Sequence, residues 1–172
     1  MDINSDMGEI NHLLADGTYE KLMNHVTSVN LACGGHAGDE EMMAAMVVMA
    51  KDKGISIGAH PSFPDKENFG REEMEDIDPN DLNDSIRDQI EKLVDIASEH
   101  EMELTHVKPH GALYNLAVNS EEISQTIAEA IIDVDSSYKA VGLAGSKMLT
   151  VFDALGLDTI SEGYVDRVYE AD

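Results

Sequence analysis

The chain has 172 residues, 42% of them hydrophobic, and its 35 acidic against 11 basic side chains give a formal net charge of -24. No apolar run reaches the roughly 20 residues a membrane-spanning helix needs, and a field of this sign repels polyanions, so nucleic-acid and membrane partners are not expected. Cys33 is the only cysteine and has no partner for an internal disulfide, and no signal-peptide pattern opens the chain. One domain over residues 1–172, working in a reducing cytoplasm, is the expectation.

Short β-branched or apolar runs alternate with longer stretches of helical period, the pattern of βα units on a parallel sheet. Strands are expected at residues 2–7, 28–32, 55–59, 103–107, 140–143 and 159–161. Between the second and third, residues 40–53 form an apolar helix with Met42, Met46 and Met49 along one side, which predicts cover on more than one face. Gly54 marks its end. Asp78 followed by Pro79 reads as an N-cap and first-turn proline, and residues 81–100 then place Ile86, Ile90, Leu93, Val94 and Ala97 on one stripe. Residues 120–132 do the same with Ile123, Ile127 and Ile131, and Gly156 marks a further helix end. Six strand signals fall short of the eight of a full barrel of about 250 residues, so an irregular or incomplete (β/α) barrel is expected, with C-terminal strands missing from these residues.

Side chains alternate along a strand, so parity decides which residues meet. Asn4 and Asp6 share a face, and Asn30 lies opposite Val29 and Leu31. Ile57 and Ala59 pack on helices, leaving His60 on the other side; His106, Lys108 and His110 share a face if the fourth strand stays regular through Pro109. In barrel enzymes chemistry sits on the loops after the strands. Asp6, His36, His60, His110 and Glu162 all fall there, which makes them candidates, whereas His12, His25 and His100 do not and His106 is ambiguous. Asp39 reads equally as a helix N-cap. Cys33, with no basic neighbour in sequence, reads as buried filler. Gly34, Gly35 and Gly38 mark either a tight turn or an anion-binding helix entry. Asp and His from separate strands also suit a divalent metal with an open position, although no short-spaced His pair singles out ligands. Basic residues are scarce, yet Lys66, Arg71, Lys108 and Arg167 lie in or just beyond post-strand loops, which implies a small anionic substrate.

Six segments stand out along the chain: Asn4-Ser5-Asp6-Met7-Gly8-Glu9, Asn30-Leu31-Ala32-Cys33-Gly34-Gly35-His36-Ala37-Gly38-Asp39, Gly58-Ala59-His60-Pro61-Ser62-Phe63-Pro64-Asp65, Asn68-Phe69-Gly70-Arg71, Val107-Lys108-Pro109-His110-Gly111-Ala112-Leu113-Tyr114-Asn115, and Asp166-Arg167 with Tyr169 and Asp172. Together they resemble the LamB/YcsF family. The resemblance implies an α/β fold of distorted TIM-like barrel type, akin to glycoside hydrolases and polysaccharide deacetylases. It also implies an activity: ATP-dependent opening of 5-oxoproline to L-glutamate, with Mg²⁺ and ATP used in a complex with partner subunits B and C. On that reading Asp6, His60, Lys108 and His110 are catalytic, and Asn4, Asn30, His36, Arg71, Glu162, Asp166 and Arg167 bind substrate. Two alternatives stay open: a stand-alone metal-dependent deacetylase or amidohydrolase, and a non-catalytic substrate-binding subunit. A homo-oligomer is compatible with either.

Overall fold

Six parallel strands in sequential order, β1-β2-β3-β4-β5-β6, form one curled sheet with helices on its outer face, an incomplete α/β barrel. The computed structural model describes residues 1–74, 76–165 and 167. Asp166, Tyr169 and Asp172 lie outside the described residues. The strands are β1 (Asn4–Met7), β2 (Ser28–Ala32), β3 (Ser56–His60), β4 (Leu104–Val107), β5 (Lys139–Leu143) and β6 (Thr159–Glu162). The helices are α1 (Asn11–Ala15), α2 (Thr18–Leu22), α3 (Glu40–Lys53), α4 (Pro79–Glu99), α5 (Gly111–Ala117), α6 (Glu121–Asp135) and α7 (Lys147–Ala154). The long helices and all six strands fall where hydrophobic period places them. The short ones, α1, α2, α5 and α7, run five to eight residues, too few turns for a 3.6-residue period to stand out.

Local chemistry fixes the ends of the long helices. Asp39 caps α3 by accepting from Met42 N at 2.8 Å, and Gly54 closes it in the left-handed region at φ 67, which glycine enters without a Cβ penalty. Asp78 accepts from Asn80 N at the start of α4, with Pro79 in its first turn. The apolar stripe of α4, Leu82, Ile86, Ile90, Leu93 and Ala97, is buried, each large side chain contributing roughly 1.5–3 kcal/mol. The cover of α3 is less complete than its composition predicts: Met42, Met43, Met46, Val47 and Ala50 are buried, but Val48 stays 40% exposed. The carboxylates of α4, including Asp84, Asp88, Glu91 and Asp95, face solvent. No helix of the described residues is long and apolar enough to cross a membrane.

Curling brings the two edge strands face to face. β1 and β6 sit at opposite ends of the strand order, yet Asn4 Nδ2 donates to Glu162 Oε2 across the lumen at 3.2 Å. The lumen floor is filled by one ring, His106, whose Nε2–H donates to Asn30 Oδ1 at 2.8 Å while Nδ1 meets Thr105 Oγ1 at 2.8 Å. Gly58 makes room for it, because a Cβ at that position would land inside the imidazole. Burial first, then Lys108 and His60, lower the His106 pKa to about 4, so the ring is neutral at neutral pH.

Two outcomes are expected. Gly58→Ala destabilises the fold by about 1–3 kcal/mol in urea unfolding, and combining it with His106→Ala costs less than the two changes summed, because the ring it strikes is gone. Additive costs would mean the two positions do not press on one another. Stability conferred by neutral His106 is complete above its unfolded pKa near 6.5 and declines as pH falls toward about 4, since the unfolded chain then binds the extra proton. Melting temperature therefore drops between pH 6.5 and 4 more steeply in the parent than in His106→Gln.

Candidate functional site

The backbone pairing of β3 with β4 continues beyond the strands proper. Lys108 N donates to Ala59 O at 2.9 Å and His110 N to Pro61 O at 2.8 Å. Pro109 falls between the two, so its missing N–H breaks neither bond. Parity thus runs on through the proline, and His106, Lys108 and His110 rise one above another on the lumen side, as the sequence pattern requires.

Lys108 occupies the middle tier and is almost fully buried. Its Nζ lies 3.2 Å from Asp6 Oδ1, 3.2 Å from Glu162 Oε2 and 3.3 Å from Asn4 Oδ1. Burial would lower its pKa, but Asp6 and Glu162 outweigh that and raise it. Asn30 Nδ2 donates to Asn4 Oδ1 at 2.8 Å and Asp6 Oδ1 at 2.7 Å, holding both β1 side chains toward the lysine. Asp6 keeps 36% of its side chain open to solvent, yet its carboxylate is enclosed by donors. Burial pushes the Asp6 carboxyl up, but His60, then Lys108 and Asn30, prevail and hold it well below the usual carboxylate range. On the far side Tyr114 donates to Glu162 Oε1 at 2.9 Å, and burial together with Glu162 raises its phenol far above the ordinary value. Tyr164 also reaches Glu162 Oε1, at 3.3 Å.

Three histidines form the upper tier. His60 Nδ1–H donates to Lys108 O at 2.7 Å, and His110 Nε2–H donates to Phe69 O at 3.0 Å. His60 Nε2 lies 3.1 Å from His110 Nδ1 and 3.4 Å from Asp6 Oδ2. The His36 and His110 rings stack at 3.6 Å, 3° from parallel, and both reach Glu9 Oε1, at 3.0 Å from His36 Nε2 and 3.4 Å from His110 Nδ1. His36 Nδ1 is buried without a hydrogen-bond partner. Burial first, then the neighbouring histidines, lower the His110 pKa to about 4; burial likewise lowers that of His36. Burial would raise the Glu9 carboxyl, but its bond to His36 and the nearby histidines lower it. The atoms of Glu9, His36 and His110 that can hold a metal lie within 4.8 Å of one another.

The loop after β3 roofs this tier. Phe69 adopts φ 58, uncommon for a residue with a Cβ, which turns its carbonyl to His110 and its ring edge to His36 and His110. Gln89 of α4 clamps the same loop, accepting from Ser62 N and donating to Ser62 O, each at 2.9 Å.

Of the expected site residues, Asn4, Asp6, Asn30, His36, His60, Lys108, His110 and Glu162 converge on this one lumen. Arg71 and Arg167 lie at its margin on aromatic faces, their Cζ atoms 5.4 Å from the Phe69 ring and 4.3 Å from the Tyr164 ring. Lys66 lies instead on a groove of about 1290 Å³ on the outer side of α4, among Asp65, Glu67, Asp84, Asp88 and Glu91, apart from the histidines. Asp166 is outside the described residues. Cys33 is buried with its thiol pushed up to about 12, as a filler would be. Parity does not reveal Glu9, Phe69 or Tyr114, which reach the lumen from loops and from α5; Glu9's place in the first post-strand loop is the one signal for it.

The comparisons with known proteins agree with this fold. A family model described as LamB/YcsF family matches residues 1–172. The chain is 44% identical over 172 residues to the A subunit of 5-oxoprolinase from Halalkalibacterium halodurans, covering 100% of this chain and 66% of that protein. It is 41% identical over 170 residues to the A subunit of 5-oxoprolinase from Staphylococcus haemolyticus, covering 99% of this chain and 68% of that protein. The chain thus spans about two thirds of the length of these curated relatives. The crystal structure of a lactam utilization protein from Thermus thermophilus superposes with a TM-score of 0.92 at 36% identity, over 98% of this chain and 68% of that one. A putative cellobiose-phosphate cleavage protein from Enterococcus faecalis shares the fold alone, with a TM-score of 0.56 at 13% identity over 92% of this chain and 65% of that one. Matched by the family model from its first residue to its last, and more than 40% identical to these two relatives, the chain belongs to the LamB/YcsF family.

Proposed function

We propose that this chain supplies the lactam-opening site of an ATP-dependent 5-oxoprolinase, acting as its A subunit with partner subunits B and C in the cytoplasm, and converting 5-oxo-L-proline to L-glutamate. The observation that carries the reading is the meeting of Asp6, His60, Lys108 and His110 at one lumen mouth, with contacts of 3.1–3.4 Å between them. The names of the curated relatives, which are 5-oxoprolinase components, and of the Thermus lactam utilization protein support the substrate class.

A five-membered lactam is a resonance-stabilised amide that water attacks poorly. Phosphorylation of the amide oxygen by ATP, with Mg²⁺ in the complex, would make the ring carbon a better electrophile. ADP leaves in that step; water then adds to the ring carbon and the carbon–nitrogen bond breaks as the nitrogen takes a proton, leaving a glutamyl phosphate that a second water hydrolyses to L-glutamate and phosphate.

Within this chain His60 is placed to serve as general base. Its Nδ1–H is committed to a backbone carbonyl, so Nε2 carries the lone pair and points to the lumen beside Asp6, which would steady the imidazolium once a proton is taken. His110 is the neighbour positioned to relay that proton toward the leaving nitrogen. Lys108 and Arg167 favour the negative charge of a carboxylate or phosphate, and Lys108 does so from a fixed position because Asp6 and Glu162 hold it on both sides. Asn4, Asn30, His36, Arg71, Glu162 and Asp166 complete the substrate-binding set.

The test is reconstitution with subunits B and C, ATP and 5-oxo-L-proline, following glutamate. His60→Asn retains a donor for the Lys108 carbonyl but no base, and is expected to lower turnover about 10²–10⁴-fold with the fold intact. Undiminished turnover in the folded variant would remove His60 from the chemistry. Lys108→Met is expected to lose turnover and also to unfold at lower urea, since two carboxylates then face one another without their cation, a loss on the order of 3–5 kcal/mol. Unchanged stability would show that Asp6 and Glu162 do not depend on it.

A further inference from the structure

The upper tier crowds ring nitrogens and carboxylate oxygens around one point. Carbonyl oxygens only accept, so the bonds from His60 Nδ1 to Lys108 O and from His110 Nε2 to Phe69 O place a proton on each of those nitrogens. The remaining nitrogens, His60 Nε2 and His110 Nδ1, face each other at 3.1 Å with room for one proton at most between them. Beside them lie two more acceptors, Asp6 Oδ2 at 3.4 Å from His60 Nε2 and Glu9 Oε1 at 3.4 Å from His110 Nδ1. Acceptor faces acceptor around this rim, which is unfavourable unless something positive lies among them.

Three further features specify the positive group. His110, whose Nε2–H donates to the Phe69 carbonyl while Nδ1 turns to the lumen, has the arrangement of a metal-ligating imidazole. An ion with bonds of about 2.1 Å separates adjacent ligands by about 3.0 Å at a right angle and about 3.4 Å at the tetrahedral angle. Two separations within the set match, 3.0 Å from Glu9 Oε1 to His36 Nε2 and 3.4 Å from Glu9 Oε1 to His110 Nδ1, while the ligand atoms of all three residues lie within 4.8 Å of one another. Finally, among the described residues the lumen holds three carboxylates, Asp6, Glu9 and Glu162, around the ammonium of Lys108, which is already shared between two of them. One proton between His60 and His110 offsets half of the remaining charge; a divalent cation offsets all of it.

We infer that Glu9, His36 and His110 form a divalent-cation site at the lumen rim, with His60 at its side toward Asp6. The donor set of two imidazoles and one carboxylate suits a borderline first-row ion such as Zn²⁺, whereas Mg²⁺ and Ca²⁺ prefer oxygen alone. The site stands apart from the ATP-linked Mg²⁺ of the proposed reaction; an ion held there takes His110 Nδ1 out of the proton relay and leaves proton transfer to His60 and Asp6, and because its readout is binding rather than turnover the failure of one reading is distinguishable from that of the other.

The test titrates the chelator-stripped chain with Zn²⁺ by calorimetry, and with Co²⁺ as a visible-absorbing probe of coordination. One ion per chain at micromolar or tighter affinity is expected, undisturbed by millimolar Mg²⁺. Glu9→Gln and His36→Gln are each expected to weaken binding at least about tenfold, whereas His12→Gln, on exposed α1, changes nothing. If the site variants do not fold, histidine-ring NMR of the unmodified chain decides: on adding Zn²⁺ the resonances of His36 and His110 move while those of His12 and His25 stay. Absence of saturable binding, binding that survives both site variants, or shifts confined to the exposed histidines would overturn the inference.

Discussion

Lys108 Nζ, 3.2 Å from Asp6 on β1 and 3.2 Å from Glu162 on β6, is the contact on which the site depends. No backbone pairing joins β1 to β6 among the described residues, because they are the two edges of the sheet. The lysine rises from β4, in the interior of the strand order, and joins those edges through one buried ammonium. Such a cation is costly to desolvate, and it is stable here because two carboxylates and the Asn4 carbonyl surround it. The same contacts add to the pull of His60 in holding Asp6 ionised, so the link that draws the edges together also contributes to the charge state at the mouth.

The tiers above and below follow from backbone rules. Since β4 pairs with β3 through and beyond Pro109, the residues at 106, 108 and 110 stack on one side at successive depths. The lowest is a neutral ring that fills the floor, the middle one a cation, and the highest part of the histidine cluster. Glycine at 58 is required for the floor, because any side chain there occupies the space of the ring. The strained Phe69 is required for the roof, because its carbonyl decides which nitrogen of His110 faces the lumen.

The molecule's charge is distributed unevenly between its two faces. The helices carry acids into solvent, where they keep the surface strongly negative, while the lumen gathers scarce basic and imidazole groups around Asp6, Glu9 and Glu162.

Strand number, strand direction, the long helices and their caps were legible in the sequence, because hydrophobic period and capping are local properties of the chain. Period-two alternation likewise placed Asn4, Asp6, Asn30, His60, Lys108 and His110 on one face. Glu9, Phe69 and Tyr114 were not legible as neighbours of that set, since their directions come from a positive-φ turn at Gly8, from φ 58 at Phe69 and from the docking of α5. Nor was the pairing of Lys108: a sequence shows a scarce cation near the mouth of a barrel, but only the curl that brings β1 opposite β6 decides that two carboxylates reach it. Which residues share a face is a rule of the strand itself, whereas which faces meet is set by the closure of the whole sheet.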